Sequence, residues 1–245
     1  MRNPMPNGPT KSLLLLPGLL CDRFVWEFPA GALSDVAIST SLEWGAEDSL
    51  AGMADTVLRT APEHFLLAGH SMGGRVALEV YRKAPQRVAG IALLNSGYQA
   101  RSQDAAGEEE ERGRLALLHL ARTEGMRAMA AQWLPPMIHP DRRTDAALVE
   151  TIMEMFARKT PEIFARQIRA MLDRSDATGV LEQIRCPALV LTGREDGWSP
   201  PARHAEMAAK IPGSRLVIIS ECGHMSTLEQ PEAVTARLRE WLTRA

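Results

Sequence analysis

Only three cysteines, Cys21, Cys186 and Cys222, occur among the 245 residues. An odd number at such wide spacings makes neither a disulfide framework nor a metal-ligand pattern, and reduced thiols in the cytoplasm fit this usage. No apolar stretch is long enough to span a bilayer. Basic runs are absent too, and the formal net charge is -2, so nothing calls for nucleic acid or an anionic membrane as a partner. There is no internal repeat and no low-complexity segment. One stretch imitates a lipid-anchored secretion signal, Leu13-Leu14-Leu15-Leu16-Pro17-Gly18-Leu19-Leu20-Cys21. Pro-Gly breaks it after four leucines, and Leu20 stands where cleavage needs a small residue. What is present is ordinary globular composition, 45% hydrophobic and 24% charged, enough for one sizeable core.

Hydrophobic patterning divides the chain into three parts. Residues 1–10, rich in Pro, Asn and Gly, are expected to form a loose arm. Residues 12–16 form a continuous apolar run of strand length, as expected of a strand buried on both faces of a parallel sheet. A short helix around residues 26–33, a weak strand at 36–39, a helix at 50–60, a strand at 64–68 and a strand at 88–94 continue an alternation that implies crossover connections. From 97 to 179 the alternation stops. Met126, Met129, Ala130, Trp133 and Leu134 share one helical face; Val149, Ile152, Met153 and Phe156 share another; Phe164, Ile168, Met171 and Leu172 share a third. The acidic run Glu108-Glu109-Glu110-Glu111 is expected to be a solvated helix start or loop. Strands at 187–192 and 215–219 then resume the alternation. Ser199-Pro200-Pro201 is expected to open a helix with a serine cap, and Val234, Leu238, Trp241 and Leu242 give a closing helix its buried face.

The chemistry centres on Ala68-Gly69-His70-Ser71-Met72-Gly73-Gly74-Arg75. This G-x-S-x-G follows a strand pattern and opens a helical one, in which Val76, Ala77, Val80, Tyr81 and Ala84 take one face and Arg75, Glu79, Arg82 and Lys83 the other. A serine on so sharp a turn needs glycine neighbours and has its hydroxyl exposed above the sheet, over a helix N-terminus that favours negative charge. A glycine-rich turn whose serine merely caps the helix would look the same; downstream partners separate the two readings. A serine nucleophile needs a base, and the base an acid to fix its tautomer. In a parallel sheet both belong in loops after the carboxyl ends of strands. Two loops qualify, Gly193-Arg194-Glu195-Asp196-Gly197-Trp198 and Ser220-Glu221-Cys222-Gly223-His224-Met225-Ser226, giving the order Ser71, Asp196, His224. Glu195 is a distant second choice for the acid. His64, His119, His139 and His204 fit no strand-end loop.

Taken together, G-H-S-M-G-G, G-x-x-D with a following proline, and G-H-x-x-x-x-E-Q-P-E resemble the α/β-hydrolase superfamily, and the last motif resembles its enol-lactonase and small carboxylesterase branch. The resemblance covers nearly the whole chain. It implies an α/β-hydrolase fold: a mostly parallel sheet of about six strands flanked by helices, with core residues 1–96 and 181–245 and an all-helical cap at 97–180. Some members carry the acid one strand earlier, but that loop here reads Asn95-Ser96-Gly97, with no carboxylate. By the family's elbow, His70 faces away from the site and is structural. The oxyanion donors are expected to be the amides of Met72 and Leu19, the latter in the loop Pro17-Gly18-Leu19, where the family usually has His-Gly-x.

The resemblance implies a cofactor-independent serine hydrolase acting through an acyl-enzyme on a small-molecule carboxylic ester or lactone, with no metal. The cap would supply apolar pocket walls, with Met126, Met129, Trp133 and Met137 as candidates, although helix-spaced Met and Trp also suit plain core. Pro135-Pro136 and the chain crossings near Gly97 and Gly179 could serve as hinges of such a lid. Three alternatives use the same scaffold: a carbon–carbon bond hydrolase of ring-cleavage products, a lyase or cofactor-free oxidative enzyme, and a ligand receptor that keeps the triad. The first of these tends to carry asparagine where this chain has His70.

Overall fold

The computed structural model describes residues 11–245; the arm expected at residues 1–10 lies outside them. Six strands, β1 (Lys11–Leu16), β2 (Ala37–Ser41), β3 (Phe65–His70), β4 (Val88–Leu94), β5 (Ala188–Gly193) and β6 (Arg215–Ile219), form one sheet in the order β2-β1-β3-β4-β5-β6, with every pairing parallel. Leu13–Leu16 run beside Leu66–Gly69, and Leu67–His70 beside Ile91–Leu94. The central strands β3 and β5 are buried along their whole length because helices cover both faces. Edge strand β2 instead alternates, leaving Ile38 59% exposed. The chain winds one way from β1 to β2 and the other way from β3 onward. The reversal opens a crevice at the carboxyl ends of β1 and β3, where open α/β sheets bind ligands.

The helices follow the alternation. A 3-10 turn (Arg23–Trp26), held by Asp22 accepting from the Phe24 N–H, leads into α1 (Glu27–Ala32). The helix α2 (Leu50–Thr60) is capped by Ser49, whose side chain accepts from the Gly52 N–H. The elbow helix α3 (Met72–Lys83) stops before Pro85, as expected. Its second face is solvated only in part: Arg82 and Lys83 are exposed, whereas Glu79 is buried and accepts from the Ser175 hydroxyl at 2.7 Å. Between β4 and β5 lie α4 (Ala105–Thr123), α5 (Met126–Trp133), α6 (Ala146–Ala157), α7 (Pro161–Leu172) and the single turn α8 (Thr178–Leu181). After β5 come α9 (Pro201–Lys210), α10 (Ser226–Glu229) and α11 (Pro231–Leu242).

Two expectations need correction. The serine cap of α9 is displaced by one residue: Pro200 is the cap, and the Ser199 N–H is committed to the Asp196 carboxylate. The acidic run does lie at a helix start, in the first turns of α4 capped by Asp104, with Glu108 and Glu109 exposed, but Glu110 is drawn into an ion-pair cluster with Arg114 and Arg174 rather than left to water. Backbone hydrogen bonds are in place at the residues expected to act as hinges. The Ala177 N–H donates to the Tyr98 carbonyl at 2.9 Å, tying the two chain crossings together, and the Met137 carbonyl beside Pro135-Pro136 accepts the His224 N–H at 2.6 Å.

Two fully buried histidines couple this core to pH. Burial pushes both His70 and His204 down to about 4. Between the ordinary histidine value and 4 the unfolded chain takes up protons that the folded chain does not, so their contribution is complete above pH 6.5 and is lost as pH falls toward 4. Each is worth on the order of 3 kcal/mol once the loss is complete. Asp196 and Glu110, both held low, add losses of the same sign at more acid pH, while Glu229, raised by burial, opposes them. The melting temperature should therefore drop by roughly 5–10 °C between pH 7 and pH 5; a flat profile by scanning calorimetry would show that these imidazoles are protonated in the fold.

Candidate active site

At the junction of β3 and α3, Ser71 adopts φ 54° and ψ -117°, a conformation that costs energy for any residue with a Cβ. The turn survives because the residues two positions to either side, Gly69 and Gly73, have no side chains. A Cβ on Gly69 would lie 2.4 Å from the Gly73 carbonyl oxygen, and one on Gly73 would lie 2.1 Å from that of Leu16. The Ser96 hydroxyl completes the brace by donating to the Ser71 carbonyl at 2.8 Å.

The three candidates drawn from separate loops meet in one chain of hydrogen bonds. Ser71 Oγ lies 2.9 Å from His224 Nε2, and His224 Nδ1 lies 2.9 Å and 3.0 Å from the two Asp196 oxygens. A carboxylate accepts, so Nδ1 carries the proton and Nε2 is left to accept from the serine. Asp196 also accepts from the Trp198 and Ser199 N–H groups and from Asn95 Nδ2. Burial alone would raise its carboxyl, but His224, Asn95 and the Ser199 amide outweigh that and hold it below the usual aspartate value. Glu195 is engaged elsewhere, accepting from the Cys222 N–H at 2.9 Å.

The loop bearing His224 is held by a residue that sequence reasoning quoted only as part of a motif. Glu229, almost fully buried, accepts from the N–H groups of Gly223, Met225 and His139. Asn95 was also passed over, for lacking a carboxylate. Its amide donates to Asp196 and to the Gly223 carbonyl, and its oxygen accepts from Ser226, so one side chain orients both loops. The sequence signal is a polar residue immediately after the apolar run of a central strand.

His70 does not face away. Its ring centroid lies 5.3 Å from that of His224, and its Nε2 donates to the His224 carbonyl at 2.8 Å. Nδ1 is then a buried lone pair beside Gly18, where a Cβ would approach it to 3.0 Å. Leu19 and Met72 both line the same cavity as Ser71. Met72 opens α3, so its amide has no partner within the helix. The Leu19 loop is anchored by Gln167, which accepts from the Leu20 N–H at 2.7 Å, and by Trp44, which donates to the Pro17 carbonyl. Cys21 also lines the cavity, but burial pushes its thiol up to about 12, so it stays protonated.

The cavity holds about 360 Å³ and reaches from Ser71 and His224 up between the β4–β5 helices. Of the four expected wall residues, Trp133 and Met137 line it; Met126 and Met129 do not. Both methionines lie earlier on α5, buried in the hydrophobic core, and only the last turn of that helix reaches the opening. There Trp133 packs on Phe156, Phe164 and Trp198, with ring centroids 5.4–5.9 Å apart. The expectation of apolar walls holds for one side only. Arg75, Glu110, Arg114, Arg174 and Arg203 line the other. Among the described residues there is no group of three His, Cys, Asp or Glu side chains able to hold a metal ion, and no helix long and apolar enough to cross a membrane.

A serine presented on a strand-to-helix turn, at the reversal point of a parallel sheet and bonded to a histidine from the last strand's loop, defines the α/β-hydrolase class. The chain belongs to that class by descent: the profile of the Alpha/beta hydrolase family matches residues 13–237. It is similar to the pimeloyl-[acyl-carrier protein] methyl ester esterase of Nitrosomonas europaea, 27% identical over 236 residues that cover 92% of each chain. A thermophilic esterase from Thermogutta terrifontis, solved with malate bound, is 29% identical with a TM-score of 0.83, covering 97% of this chain and 91% of its own. The enol-lactonase of Burkholderia xenovorans superposes with a TM-score of 0.82 at 24% identity, covering 97% and 92%; at that identity the likeness concerns the fold.

Proposed function

We propose that this hydrolase cleaves a carboxylic ester or lactone of a small molecule through an acyl-enzyme on Ser71. The observation that carries the reading is the continuous Ser71–His224–Asp196 hydrogen-bond chain opening into a cavity. His224 Nε2 takes the hydroxyl proton as Ser71 Oγ attacks the carbonyl carbon, and Asp196 stabilises the imidazolium that results. The amides of Leu19 and Met72, at the positive end of α3, receive the oxyanion. The imidazolium then protonates the departing alkoxide. Water, deprotonated by His224, attacks the acyl carbonyl and frees the acid. Only protein groups take part. The esterase names carried by relatives, and the match to an esterase structure at 29% identity, support ester chemistry over the carbon–carbon alternative.

Exposure to a small fluorophosphonate should give one adduct, located on Ser71 by peptide mass spectrometry, alongside turnover of short p-nitrophenyl esters. Absence of any adduct would show that the serine is not activated and would remove the acyl-enzyme reading; labelling without ester turnover would keep the activated serine and reject the ester.

A further inference from the structure

The basic side of the cavity is built from four separate segments. Arg75 lies one turn along α3 from Ser71, on the same face and about 6 Å further along the axis by helical rise. Arg114 comes from α4, Arg174 from the segment after α7, and Arg203 from α9. Against four guanidinium groups stands one carboxylate, Glu110. Its oxygens are already occupied: Arg174 meets them in a forked pair at 2.8 Å and 2.7 Å, and Arg114 bonds to it at 2.9 Å. Burial would raise Glu110, yet these two arginines outweigh it and hold the carboxyl down at about 2.

Arg75 and Arg203 have no such partner. No carboxylate lies within 4.0 Å of either among the described residues, and residues 1–10 contain no Asp or Glu. Their recorded bonds go to neutral groups: Arg75 Nη1 to the Gln99 carbonyl at 2.9 Å, Arg203 Nη1 to the Trp198 carbonyl at 3.0 Å and to Ser199 Oγ at 3.5 Å. The two converge on Gly97, where a Cβ would lie 2.5 Å from Arg75 Nη2 and 3.5 Å from Arg203 Cδ. Burial, with Arg174 and Arg203 adding repulsion, pulls the Arg75 guanidinium down to about 9. Surface arginines spread out into water; these are gathered, half-buried, around one concave volume, where mutual repulsion is costly until an anion enters. Planar forked donors are the groups that best fit a carboxylate.

We infer that the cavity has an anion subsite formed by Arg75 and Arg203, backed by Arg114 and Arg174, and that the substrate is an ester or lactone carrying a free carboxylate a few bonds from its scissile carbonyl. This rests on the hydrolase reading above and narrows it to acid-bearing substrates such as half-esters of short dicarboxylic acids. The carboxylate fixes which end of the molecule reaches Ser71. Trp133, Met137 and Phe156 cover the carbon chain between the two polar ends. Binding energy from the non-reacting end then serves to orient the carbonyl.

The test compares monomethyl glutarate with two neutral esters, dimethyl glutarate and methyl pentanoate, at pH 8, in the wild type, Arg75→Gln and Arg203→Gln. A charged hydrogen-bonded contact should favour the half-ester by about 10- to 100-fold in kcat/KM. That ratio should collapse toward one in both variants, mainly through KM. Because Arg75 ties down the Gln99 carbonyl and Arg203 the Trp198 carbonyl, whichever variant keeps the wild-type melting temperature decides the point if the other misfolds. A wild-type ratio below 2 with rapid turnover of the neutral esters would overturn the inference and leave the hydrolase reading intact, as would a ratio that persists in both variants. Calorimetric binding of the glutarate dianion, malate and inorganic phosphate decides the point even without turnover. Dicarboxylate binding that weakens tenfold in Arg203→Gln supports the subsite; no binding, or binding of phosphate alone, overturns the carboxylate assignment.

Discussion

Ser71→Ala should lower kcat for the preferred ester by about 10⁴-fold or more while leaving KM and the melting temperature close to their original values. The side chain makes one recorded hydrogen bond, to His224 Nε2, and lies on a turn whose geometry is enforced by Gly69, Gly73 and the Ser96 brace rather than by its own hydroxyl. Removing Oγ therefore deletes the attacking atom without disturbing the frame. Alanine tolerates the φ of 54° no worse than serine does, since both carry a Cβ. What remains in the variant is the oxyanion loop and the binding pocket, which alone can retain about 10³–10⁴-fold over water. Single-turnover assays with p-nitrophenyl acetate would read the loss directly. A fall of less than tenfold would mean that bond cleavage does not pass through Ser71, and every residue role assigned around it would have to be withdrawn.

The backbone of this site was legible in the sequence because each part lies where local rules apply. A strand pattern, a G-x-S-x-G and a helical pattern in succession leave few alternatives for residues 65–83. The loops of Asp196 and His224 were identifiable as strand-end loops from the apolar runs before them. Strands β4 and β6 have the boundaries expected of them. The Gly223–Glu232 motif also has a physical content now visible. Glu229 gathers three backbone donors, so that the His224 loop keeps one shape.

The walls of the cavity were not legible, for a reason that helical periodicity makes plain. Period 3.6 identifies a buried face but not what that face is buried against. Met126, Met129 and Trp133 share one face of α5, yet only Trp133 lines the cavity. The arginines failed the opposite way. Arg75 read as part of the polar face of α3, and Arg114, Arg174 and Arg203 carried no local signal at all, because nothing local records that four distant segments converge. Glu110 was hidden inside an acidic run that looked like solvated helix. Its role emerges only when Arg174, 64 residues away, is brought against it.

Asp196→Asn should cost about 10⁴-fold in kcat, nearly as much as losing the nucleophile, although the change is isosteric. The carboxylate is surrounded by donors: the Trp198 and Ser199 amides on one oxygen, Asn95 Nδ2 on the other, and His224 Nδ1 on both. An asparagine offers one accepting oxygen. The Trp198 and Ser199 amides are fixed in the backbone and will claim it, so the new NH2 must point toward His224 and Asn95. Nδ1 must then accept, the imidazole proton moves to Nε2, and the serine hydroxyl loses its base. Stability should fall too, by about 1–3 kcal/mol, because Asn95 Nδ2 is left facing another donor in a buried site. The pH–rate profile separates the two effects: the variant should gain activity steadily with hydroxide above pH 9, since a serine ionised by base no longer needs the imidazole, whereas a merely loosened fold would lose activity there. A variant that keeps more than a tenth of the wild-type kcat would show that His224 is oriented without Asp196, leaving the Asn95 and Glu229 contacts of its loop to hold it.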